Sequence, residues 1–105
     1  MTTEGYGYIR RVAGVDIERQ CFDLRMLLEG KGFRFKAPLI VDDDGTEFVR
    51  LLRLVECPES AGPVFVPHLR HLSGRVDVVR LFVPVYSVQP WRVLERREVA
   101  AVVSA

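Results

Sequence analysis

Glycine and proline cut this chain into short pieces, and that punctuation limits what it can fold into more than any other feature. Pro58, Pro63 and Pro67, with Gly62 among them, make residues 58–67 a loop holding one short extended piece, Val64-Phe65-Val66. Pro84 and Pro90 interrupt the C-terminal third. Proline has no N–H to give to a sheet ladder, so it is confined to strand ends, edges and bulges. No apolar stretch approaches the ~18 residues that would span a membrane. Short strands joined by turns are the architecture that such a pattern favours.

Within the pieces, side-chain alternation gives the clearest assignments. Tyr6–Val12 alternates apolar with small or polar residues and reads as a strand. Phe33, Phe35, Ala37 and Leu39 share one face of a second, with Asp42-Asp43-Asp44-Gly45 behind it as a hairpin turn. Arg75–Val88 is dense in Val, Leu, Phe and Tyr and reads as a third strand, with Pro84 at a sheet edge or bulge. Gly14–Gln20 is a short extended candidate, and His68–Ser73 has the length of one helical turn.

Two segments fit both periodicities. In residues 21–29, Ile17, Cys21, Leu24 and Leu28 make a helical stripe behind an Asp16 cap, while Phe22, Leu24, Met26 and Leu28 make a strand face. In Glu47–Glu56, Phe48, Leu51, Leu52 and Val55 make a helical face, and the preceding turn favours a returning strand instead. With the second taken as a strand, the fold expected is mainly β: a small OB-like barrel or sandwich with one or two short helices. A two-layer α+β fold follows if both segments are helices. Trp91–Val103 is a final helix or a last strand.

The chain has 105 residues, 49% of them hydrophobic, which suits one domain over residues 1–105 with a real core. Its formal net charge is +1, so no global field draws it to a polyanion. Of its 15 basic residues all but Lys31 and Lys36 are arginine, whose planar fork binds phosphate and carboxylate. A GC-rich coding sequence produces the same bias. Met1–Gly5 has neither the basic nor the apolar region of a secretory signal. Two cysteines, Cys21 and Cys57, are too few for a disulfide framework, so a cytoplasmic setting is expected and a Cys21–Cys57 pairing is left open.

The opening strand carries the main functional pointer. Gly5-Tyr6-Gly7-Tyr8-Ile9-Arg10-Arg11 alternates glycine with aromatic residues, which leaves ring faces clear of neighbours for bases to stack on. Gly5-Tyr6-Gly7-Tyr8-Ile9 resembles the first ribonucleoprotein motif of cold-shock domains and of the RNA-binding domain of the Rho termination factor. Gly14-Val15-Asp16-Ile17, Leu28–Phe35, Asp44-Gly45 and a strand over Val49–Leu54 follow in that order, so the resemblance covers residues 5–55. It implies an OB-type barrel that binds single-stranded RNA or DNA. Tyr6, Tyr8, Phe33 and Phe35 would then be stacking candidates, and Arg10, Arg11, Arg34 and Lys36 phosphate contacts.

Other constellations are thinner. His68 and His71 are spaced to share a helix face, yet no Cys-x-x-Cys completes a zinc set, so no metal or other cofactor is expected. Asp42-Asp43-Asp44 lacks the alternating spacing of a calcium loop. No Gly-x-Ser-x-Gly or phosphate-cradling glycine loop occurs, and a non-catalytic binding module is expected rather than an enzyme. The alternative is an assembly or accessory protein, a homo-oligomer, a subunit of a larger complex or a virion component. It would act through a hydrophobic protein–protein interface with Tyr86, Trp91 and Arg92 as anchors.

Overall fold

A computed structural model describes residues 3–59 and 62–97. The chain runs β1 (Thr3–Arg10), α1 (Ile17–Glu29), β2 (Phe33–Phe35), β3 (Ile40–Asp42), α2 (Phe48–Glu56) and β4 (Val64–Val66). A 3-10 turn (Leu69–Leu72), α3 (Val76–Arg80), β5 (Val85–Val88) and β6 (Trp91–Leu94) follow. The fold is α+β, with a six-stranded mixed sheet in the order β2–β1–β4–β5–β6 and β3 also paired to β1.

The sheet is open and does not close into a barrel or fold into a sandwich, which corrects the mainly β expectation. β1 pairs in parallel with β2, β3 and β4, and β4 in parallel with β5; only β6 runs antiparallel, on β5. Parallel neighbours require crossovers, and helices supply them.

Both ambiguous segments are helices. Asp16 caps α1, its carboxylate accepting from the N–H groups of Glu18 (3.1 Å) and Arg19 (3.2 Å), so the extended reading of Gly14–Gln20 gives way. α2 buries Phe48, Leu51 and Val55, the helical face rather than the strand one. Asp42–Gly45 is not a hairpin turn but the lead into α2. The largest correction is Arg75–Val83, where α3 replaces a strand and Val76, Val79 and Val83 point inward at helical spacing. Branched residues favour strands only weakly, and burial overrides that preference. The last strand is short, and residues 98–103 of the expected terminal element lie outside the described residues.

Alternation along β1 assigns the two faces. Tyr6 and Tyr8 face α2 and α3, in a core with Ile40, Leu51, Val64, Leu72 and Val85. Gly5, Gly7 and Ile9 face α1, whose Leu24 and Leu28 pack with Ile9, Phe65 and Val88. The glycines make room for rings. A Cβ on Gly7 would lie 2.6 Å from the Phe35 ring, and one on Gly5 2.2 Å from the Pro63 carbonyl oxygen.

Candidate functional site at the carboxyl edge of the sheet

β1 lies at the point where the chain reverses its direction of winding: its crossovers lead to β2 and β3 on one side and to β4 on the other. In open sheets of parallel strands, the crevice outside the carboxyl ends at such a point is where ligands bind. Here that crevice receives Arg10 and Arg11 from the end of β1, and Arg70, His71 and Ser73 from the turn after β4. Together they line a cleft of about 430 Å³.

Backbone geometry builds the cleft. Arg11 N–H faces β3 and donates to the Asp42 carbonyl (2.8 Å). Arg10 N–H faces the other way, toward β4, which Pro67 has already ended. His71 Nδ1 takes the place of the missing carbonyl and accepts that N–H at 3.0 Å. Burial, then the charges of Arg70 and His68, hold the His71 imidazole below its ordinary pKa, which keeps Nδ1 free to accept. His68 caps the 3-10 turn, its Nδ1 accepting from Arg70 N–H (3.1 Å). Among the described residues no group of three or more His, Cys, Asp or Glu is placed to hold a metal ion.

Beneath the cleft lies a buried polar pair. The Tyr8 hydroxyl donates to the carboxylate of Asp42, a residue with no solvent exposure. Burial, that bond and the Asp42 charge push the Tyr8 pKa up. Burial alone would raise the pKa of Asp42. Donation by Tyr8 and by the N–H groups of Gly45, Glu47 and Asp44 outweighs it, and the carboxyl sits below its ordinary value. The Arg10 guanidinium rests against Gly45, at φ +95°, where a Cβ would come within 3.1 Å of it. Arg75 lies over the Phe48 ring, 4.7 Å from its centroid. Among the described residues no carboxylate is within ion-pair distance of Arg10, Arg70 or Arg75, whereas Arg11, Arg19, Arg34, Arg50, Arg80 and Arg97 each have one. Donation by Thr46 and, more weakly, the Arg10 charge hold the Asp44 carboxyl below its ordinary range.

The six residues expected at a nucleic-acid surface do not form one surface. Tyr6 and Tyr8 are 4% and 1% exposed, so their rings belong to the core and offer no free face to a base. Arg34 sits at the opposite end of β1, paired with Glu4 (2.8 Å), and Lys36 lies over the Tyr6 ring. Arg11 is at the cleft but pairs with Asp43. Arg10 alone keeps an unpaired guanidinium in the crevice. Phe33 and Phe35 are half-buried, both in contact with Phe65, and the Phe35 ring lies over Gly7. Arg70 and Arg75 were missed because their approach to β1 depends on the crossover after β4. Their nearest sequence signal is the basic and histidine-rich stretch around His68–Arg75.

Of the residues expected at a protein interface, Tyr86 and Trp91 pack edge to face with centroids 5.9 Å apart, on the α1 side of the sheet. Arg92 pairs with Ser87 in the ladder and therefore points to the other side. Cys21 and Cys57 are not joined in a disulfide, and no helix among the described residues is long and apolar enough to cross a membrane. Comparison with protein families, curated proteins and solved structures returns no match for this chain.

Proposed function

We propose that this protein is a non-catalytic binding module for single-stranded nucleic acid, held by its phosphates in the crevice between β1 and β4. The observation that carries this reading is the pair of guanidiniums Arg10 and Arg70, neither in an ion pair among the described residues, in a cleft whose described lining holds no carboxylate. Arginine forks left without protein carboxylates match the bidentate geometry of phosphodiester oxygens. The resemblance of residues 5–55 to cold-shock domains supplies the ligand class, while the contacts proposed are phosphate contacts rather than tyrosine stacking. The cleft offers cations and an imidazole already engaged as an acceptor, not an acid–base pair, which favours binding over chemistry. A reducing, cytoplasmic setting accords with two cysteines that form no disulfide.

Anisotropy of a labelled single strand at low salt tests this. Measurable binding is expected, with Arg10→Gln and Arg70→Gln each lowering affinity and reducing the salt slope by about one. Absence of binding at low salt, or indifference to both substitutions, overturns the reading. A second reading rests on Trp91 and Val93, each 38% exposed on the edge strand β6. These would anchor a protein partner or a second copy. Light scattering that reports a monomer at high concentration, together with no change when Trp91 is made polar, removes the second-copy form of it.

A further inference from the structure

The loop from Arg11 to Asp16 runs between two hollows. Arg11, Val12 and Ala13 border the arginine cleft, while Val15 and Asp16 border a separate hollow of about 250 Å³ beside α1. The turn after β4 is divided in the same way, with Pro67 facing the second hollow and Arg70 and His71 the first. Buried Leu24 and Val88 lie at the bottom of the second hollow, and Val15 and Leu27, 45% and 40% exposed, stand at its mouth.

Its polar groups are unlike those of the arginine cleft. Asp16 is committed to capping α1, and Asp23 pairs with Arg19 at 3.6 Å. Two carboxylates against one guanidinium repel a phosphate. Gln20 and Gln89 line the same space, their backbone N–H groups donating to the carbonyls of Asp16 and Pro67 and their carboxamides making no hydrogen bond among the described residues. A carboxamide offers both a donor and an acceptor, the pairing that reads the edge of a heterocyclic base. Apolar walls with a few convergent amide groups make a site for an uncharged planar ring. At about 250 Å³ the hollow falls just below the ~300–1,000 Å³ of drug-sized sites, so it suits a single ring system. Arg11 and Val15 are at most about 14 Å apart along the chain, which places a base here within a nucleotide or so of a phosphate in the cleft.

We propose that the hollow between α1 and the carboxyl ends of β4 and β5 is a subsite for an unstacked nucleobase. Gln20 and Gln89 would bond its edge while Leu24, Leu27 and Val88 cover its faces. This rests on the phosphate reading above and adds to it a contact that a bare phosphodiester chain does not make. The base belongs either to a single strand or to a free nucleotide.

The test compares three ligands: a short single-stranded oligonucleotide, an abasic strand of the same length, and adenosine monophosphate. The oligonucleotide should bind about tenfold more tightly than the abasic strand, as one base contact contributes on the order of 1–3 kcal/mol. Leu27→Trp, which fills the hollow from its exposed mouth, and Gln20→Ala should each abolish that advantage and leave abasic binding unchanged. Arg10→Gln should weaken both strands alike. Equal affinity for the two strands, or an advantage that survives both Leu27→Trp and Gln20→Ala, overturns the subsite while the phosphate reading stands. Failure of every strand to bind overturns both. Adenosine monophosphate binding that Leu27→Trp abolishes supports the subsite with a free nucleotide as its source. An advantage confined to the strand supports it with an unpaired base as its source.

Discussion

The Tyr8 hydroxyl donates to the Asp42 carboxylate inside the protein, joining β1 to the end of β3 directly below the arginine cleft. Asp42 also accepts from the N–H groups of Gly45 (2.7 Å) and Asp44 (3.3 Å), so one side chain ties the sheet to the loop that opens α2. Removing the hydroxyl leaves a fully buried carboxylate one donor short. Tyr8→Phe is therefore expected to cost about 1–3 kcal/mol, read as a lower urea midpoint at unchanged m value. The acid limb tests the same pair. Folding holds the Asp42 carboxyl below its ordinary range, so its contribution is present above about pH 4 and is lost as pH falls through the lower folded value. Asp42→Asn should be less stable at neutral pH and show a shallower loss of stability in acid.

His71 governs a second pH window. Its folded pKa is depressed, so its contribution is present above about pH 6.5 and is lost as pH falls through the folded value. Protonation also removes the acceptor for Arg10 N–H. The groups facing it are Arg10 from β1 and Arg70 and His68 from its own turn, all of them basic. His71→Asn supplies an oxygen in place of Nδ1 with no proton to gain. Its urea midpoint should stay level between about pH 7 and pH 5, where the unsubstituted protein declines. Parallel declines in the two proteins would show that His71 is not the group responsible.

Gly7 is a packing residue. Gly7→Ala is expected to cost about 1–3 kcal/mol through overpacking against the Phe35 ring and Leu39. Shortening the ring in the double variant Gly7→Ala, Phe35→Leu should recover part of that loss, so that the two substitutions are non-additive. Strict additivity in the denaturation midpoints would mean that the glycine is there for another reason.

Much of the secondary structure is legible in the sequence, and the topology is not. Local alternation identifies Tyr6–Arg10 and Phe33–Phe35 as extended, and the Asp16 cap marks the start of α1. The valine-rich run before Pro84 misleads, because branched residues serve an inward helical face as well as a strand. The Gly-Tyr-Gly-Tyr segment misleads for a similar reason. Alternating glycines leave space, but the space is filled by Phe35 and Phe65 of this same chain instead of an external base. Of the cleft, only Arg10 and Arg11 are marked by the reading of the opening strand. Arg70 and His71 reach it through a crossover that no local pattern specifies.

The central place of β1 has a consequence for how the chain acquires its structure. Its partners at Phe33, Ile40 and Val64 lie about 30 to 58 positions further along, so every ladder it makes closes a long loop. Loop closure must precede the contacts that reward it, which makes such pairings slow compared with those of a hairpin. During synthesis β1 emerges before all three of its partners, and the last of them, β4, appears only after α2. Pairing of β5 with β6, six residues apart from centre to centre across a tight turn, needs no such wait. The end of the sheet that carries Trp91 is thus able to form early, and the crevice that carries Arg10 is completed when β4 docks beside β1.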